Sequence, residues 1–160
     1  MAILGACSES ATTTPTPVDA AGEVSADAAD AAPALIFPLD FQASYTEVRN
    51  CRPTSEHGLG MLISVVASPD AAKAYTAGTY PFAEGTILVK TIFEDIDGTC
   101  SEVSTYSAMR KGAKGSSPTT GDWEWQETDA SGTILTNRPA GNCFSCHSEC
   151  ASRDFACTDP

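Results

Sequence analysis

Thr86-Ile87-Leu88-Val89-Lys90-Thr91-Ile92-Phe93-Glu94 is the most strongly patterned stretch of the 160-residue chain. It is rich in β-branched and aromatic residues, which suit a pleated surface, and it reads as a strand. Leu88 and Ile92 share one face with Lys90, while Ile87, Val89 and Phe93 point the other way. Both faces are therefore apolar, and an ammonium among them is costly unless it reaches water or a partner. On pattern alone a lysine in that position is usually a snorkelling or edge residue. Working outward, Met61 to Ala67 (MLISVVA) reads as a strand before it. Ser101 to Arg110, Asp122 to Glu127 and the short Thr133 to Thr136 read as strands after it. Ser68-Pro69-Asp70 opens a helix, with Ser as N-cap, Pro at the first helical position and an acid on the positive end of the dipole. Gly78 ends it. A second helix is expected over Asp40 to Asn50, capped by Asp40, and Lys111 to Gly121 reads as a loop. The expected fold is α+β, a mostly antiparallel β-sheet with a few short helices.

Composition changes sharply near residue 35. Residues 8–34 have no aromatic residue and only Val18 and Val24 as large aliphatics. Such a segment buries too little apolar surface to offset its ordering entropy, so it reads as a disordered linker with a reach of about 30 Å. Before it, Leu4-Gly5-Ala6-Cys7 resembles the lipobox of bacterial lipoproteins, in which the cysteine is acylated. Residues 1–7 thus read as a truncated signal ending in a lipid-carrying Cys7, and 35–160 as the globular domain. That arrangement implies a periplasmic or surface location, with the membrane reached only through the lipid.

Nine Lys+Arg against 21 Asp+Glu give a net charge of −12. This argues against binding nucleic acid or an anionic bilayer through charge. No apolar run approaches the roughly 18 residues of a membrane span. Seven cysteines point to an oxidising compartment. The two histidines, His57 and His147, exclude a site built from three.

Cys143-Phe144-Ser145-Cys146-His147 is C-x-x-C-H, the attachment motif of c-type haem. Thiols three positions apart lie on one side of a helical turn and can add to the two vinyl groups of one porphyrin. The adjacent imidazole is then the proximal iron ligand. By independent placement of these residues, the motif arises by chance about 1 time in 270. The rival is zinc, because Cys150 extends the run to C-x-x-C-H-x-x-C, but four ligands so close would strain a tetrahedral site. Met61, Met109 and His57 are the side-chain candidates for a sixth ligand, and each is more often core or surface. Trp123 and Trp125 share a strand face, as a haem wall or as ordinary core. Cys51, Cys100, Cys150 and Cys157 remain for disulfides and allow three pairings. In one of them Cys150–Cys157 closes a short loop behind the haem motif, and Cys51–Cys100 ties the first helical region to the turn after the central strand.

With these pieces in order, the sequence resembles the cytochrome P-460 family, which includes the beta-type cytochromes c-prime. The resemblance rests on Cys51-Arg52 with Glu56-His57-Gly58, on Ser68-Pro69-Asp70-Ala71, and on the run from Phe82 through Glu84-Gly85-Thr86 to Lys90. Ser107-Ala108-Met109-Arg110-Lys111, Gly121-Asp122-Trp123-Glu124-Trp125, the C-x-x-C-H and Arg153-Asp154-Phe155 complete it, over about residues 44–158. It implies an antiparallel β fold, commonly a homodimer, packed around one covalent haem c with an open distal side. In the enzymes of the family the lysine at the Lys90 position is crosslinked to the porphyrin. The implied activity is oxidation of hydroxylamine, or handling of nitric oxide, with electrons passing to an external redox protein. The alternative is a cytochrome that binds nitric oxide or carbon monoxide without turnover, or that only transfers electrons. The resemblance aligns Tyr106 with a carboxylate that those enzymes place over the iron. A phenol there donates to a bound ligand but is a poor base near pH 7. Arg110, on the same face as Tyr106, is expected to face the pocket or solvent.

Overall fold

Six strands hydrogen-bond in chain order into one antiparallel sheet, β1-β2-β3-β4-β5-β6. The structure is a computed structural model, and it describes residues 33–54, 61–94, 98–138 and 142–160. The strands are β1 (Thr46–Thr54), β2 (Met61–Ala67), β3 (Ile87–Phe93), β4 (Val103–Lys111), β5 (Trp123–Asp129) and β6 (Ile134–Arg138). The helices are α1 (Phe41–Ser44), α2 (Pro69–Ala77) and α3 (Asn142–His147), with 3₁₀ turns at Pro118–Thr120 and Ser148–Arg153. Cys7, His57 and residues 8–32 of the expected linker lie outside the described residues.

The central strand lies where its pattern places it, buried along nearly its whole length. Both faces of the sheet are covered. On one, Val65, Leu88, Met109, Trp123 and Trp125 pack with Ala71 and Tyr75 of α2 and with Phe82 and Ala156. On the other, Val89 and Ala108 pack with Ile36, Phe37 and Phe41. That second cover is pinned by Gln126, whose side chain accepts from the Ile36 amide at 3.1 Å and donates to the Ala34 carbonyl at 3.0 Å.

The expected helix over Asp40 to Asn50 is corrected. Only Phe41–Ser44 is helical, and Thr46–Thr54 is the edge strand β1. Thr46 and Val48 are β-branched, and pairing with β2 outweighs one helical turn's worth of local preference. Ser68 does stand at the N-cap of α2, but its hydroxyl makes no cap bond. It accepts from the Ile87 amide at 3.1 Å and so ties the helix start to β3. Disulfides join Cys51 to Cys100 and Cys150 to Cys157. Among the described residues no helix is long and apolar enough to cross a membrane.

Candidate functional site

The strand register decides which side chains meet. Lys90 is paired with Val65 on β2 and Ser107 on β4, and Ser107 with Glu127 on β5. Directly opposed residues share a face. Lys90, Ser107 and Glu127 therefore form a row across three strands, and all three line one cavity of about 440 Å³. Ile92 adds an apolar wall. The remaining wall is α3 and the turn after it, with Cys143, Cys146, His147, Glu149 and Arg153. Lys90 is only 8% exposed, so its ammonium lies within the fold and does not snorkel out.

The C-x-x-C-H falls on α3, so Cys143 and Cys146 are one turn apart on the helix. Both are free thiols. The Cys143 thiol is pushed up from its ordinary pKa, chiefly by burial and then by the Glu127 carboxylate, while Lys90 acts in the opposite direction. It therefore stays protonated at neutral pH. His147 Nδ1 lies 2.6 Å from the Phe155 carbonyl. A carbonyl only accepts, so Nδ1 carries the hydrogen and Nε2 the lone pair that a metal needs. With Cys150 bonded to Cys157, the fourth ligand of a zinc site is spent. Among the described residues no group of three His, Cys, Asp or Glu is placed to hold a bare metal ion.

The tryptophans divide their roles. Trp123 is core, under the Lys111 ammonium at 4.9 Å and edge-on to Phe82. Trp125 packs against Phe144 and lies 6.0 Å from the His147 ring. It borders a smaller recess of about 30 Å³ that also touches Lys90, His147 and Met109. Its Nε1 is buried with no hydrogen-bond partner among the described residues. Met109 is buried on this face, whereas Met61 borders neither space.

Tyr106 requires correction. It pairs with Thr91, on the face opposite Lys90, and its ring packs on Phe37 and Phe41 with centroids at 6.2 and 5.3 Å. A one-residue shift turns a side chain through the sheet, which separates Tyr106 from the face that carries Lys90. The pocket position on β4 is Ser107, and the strand-borne carboxylate is Glu127. Arg110 also lies on the far face, where it pairs with Glu124 at 2.5 Å, both side chains well exposed.

Two thiols and an imidazole on one helix, facing a cavity in the range of about 300–1,000 Å³ that suits a cofactor, fit a haem. Fold and site together define a c-type haem cytochrome. A family model described as Cytochrome P460 matches residues 40–158. The chain belongs to the cytochrome P460 family. No curated protein matches the chain at a significant level.

Proposed function

We propose that the protein holds one covalent haem c and oxidises hydroxylamine, delivering the electrons to an external redox protein. The observation that carries this reading is Glu127, a carboxylate in the same face row as Lys90 and Ser107, lining the cavity that the haem motif closes. Cys143 and Cys146 would form the thioethers, and His147 would ligate the iron through Nε2. Bound there, the haem would supply a redox-active iron and a path for electrons. Glu127 takes a proton from the substrate's N–H or O–H, which is general-base work. Ser107 is placed to hydrogen-bond the same small molecule. Lys90 Nζ would join the porphyrin, as the family resemblance implies. That N–C bond would replace one N–H and one porphyrin C–H bond, with its two electrons and two protons passing to a two-electron oxidant such as a peroxide.

Two disulfides support an oxidising compartment, and with the Leu4–Cys7 pattern they support a lipid-anchored periplasmic or surface protein. A homodimer is part of the same proposal.

The test is hydroxylamine oxidation with an artificial one-electron acceptor. Glu127→Gln keeps shape and removes the base, so kcat should fall by about 10²–10⁴ with haem content unchanged. Wild-type protein that binds nitric oxide tightly but does not turn over hydroxylamine would replace this reading with the gas-binding one.

A further inference from the structure

Asp154 and Phe155 are consecutive non-glycine residues in left-handed backbone, with φ of +52° and +65°. Each carries a steric penalty and persists only where its surroundings hold it. The surroundings are specific. One Asp154 carboxylate oxygen accepts from the Phe82 amide at 2.8 Å. The other accepts from Lys111 Nζ at 2.6 Å, and both side chains are 9% exposed. Lys111 is the last residue of β4, and its ammonium also donates to the Gly121 carbonyl at 2.7 Å. The pair thus fastens the turn after the haem motif to the end of the sheet. The Cys150–Cys157 disulfide closes the same turn from outside. This strained, doubly held backbone places the Phe155 carbonyl on His147 Nδ1 at 2.6 Å.

We infer that Asp154, backed by Lys111, is a positioning residue for the proximal imidazole. It sets the left-handed turn that aims the Phe155 carbonyl, and through that carbonyl it controls how strongly His147 donates to iron. The inference rests on the reading of His147 as the iron ligand. A well-aimed Nδ1–H···O=C bond raises the basicity of Nε2. A more basic axial ligand favours ferric over ferrous iron and lowers the reduction potential.

Two variants of the holoprotein separate positioning from bulk stability. Asp154→Gly deletes the carboxylate but keeps the backbone freedom that the turn needs. Asp154→Asn tolerates left-handed backbone but keeps only one acceptor oxygen, so it can serve one of the two donors and loses the charge that pairs with Lys111. The readouts are the iron–histidine stretching band of the ferrous protein, by resonance Raman, and the reduction potential. In Asp154→Gly the band should move to lower frequency and the potential should rise, and Asp154→Asn should fall between Asp154→Gly and wild type. Lys111→Met removes the other half of the pair and should move both readouts in the Asp154→Gly direction. It decides the matter if the glycine variant does not fold. Reduced thermal stability with an unchanged band and potential would overturn the inference and leave the pair as a structural tie. Absence of an iron–histidine band in wild type would overturn the reading of His147, and this inference with it.

Discussion

Gly121 and Gly78 share the same left-handed φ of +62° but not the same surroundings. A Cβ built on Gly78 meets nothing within 4 Å, whereas one on Gly121 would run into the edge of the Phe155 ring. Alanine at either position costs about 1–2 kcal/mol for left-handed backbone. Gly121→Ala adds an overlap that the ring cannot easily relieve. Phe155 is packed on Phe144, its own backbone is left-handed, and its carbonyl is held by His147. Overpacking of that kind costs about 1–3 kcal/mol more. For a domain of this size each kcal/mol lowers Tm by about 4 °C, so Gly121→Ala should melt about 4–12 °C below Gly78→Ala. The assay is thermal unfolding of the two holoproteins, followed by circular dichroism at matched pH. Equal melting temperatures would refute the reasoning, because they would mean that Phe155 does not seat against Gly121.

Two further outcomes follow from buried groups. Tyr75 donates to the Thr158 carbonyl at 2.5 Å and its pKa is pushed up to about 12, first by burial and then by Tyr80. Its protonated form is the one the fold prefers, so its contribution is complete below pH 10 and disappears as pH rises toward 12. That amounts to about 2–3 kcal/mol. Urea midpoints of wild type should therefore fall more steeply between pH 9 and 12 than those of Tyr75→Phe, and identical slopes would contradict the assignment. Lys90→Leu should still attach haem through Cys143 and Cys146 but lose hydroxylamine oxidation. Undiminished turnover in that variant would remove Lys90 from the proposed chemistry.

Much of the fold could be read from local pattern where the pattern was dense. Ile87–Phe93 has β-branched residues on both faces, and Pro69–Ala77 carries its own start and stop residues. The haem motif needs only five consecutive residues. What escaped was whatever depended on partners distant in the chain. β1 looked like a capped helix because its strand character comes from pairing with β2. Tyr106 was misplaced by one residue, and in a strand one residue exchanges the pocket for the opposite core. Glu127 was overlooked although a signal existed: it continues the Trp123–Trp125 face at the same two-residue spacing. Asp154 and Phe155 entered the resemblance only as residue types, and nothing local signalled their left-handed backbone, since neither is a glycine and the partners of Asp154 are Lys111 and Phe82, far away in the chain.

The most direct test of the account is a peptide map of the purified wild-type protein, read with its ferrous absorption spectrum. The account predicts one haem on the Cys143–His147 peptide, joined through the ring to the peptide containing Lys90, and a strongly red-shifted Soret band. A haem peptide free of the Lys90 peptide, with an ordinary c-haem spectrum, would contradict it and make Lys90 a lining residue of a gas-binding or electron-transfer cytochrome.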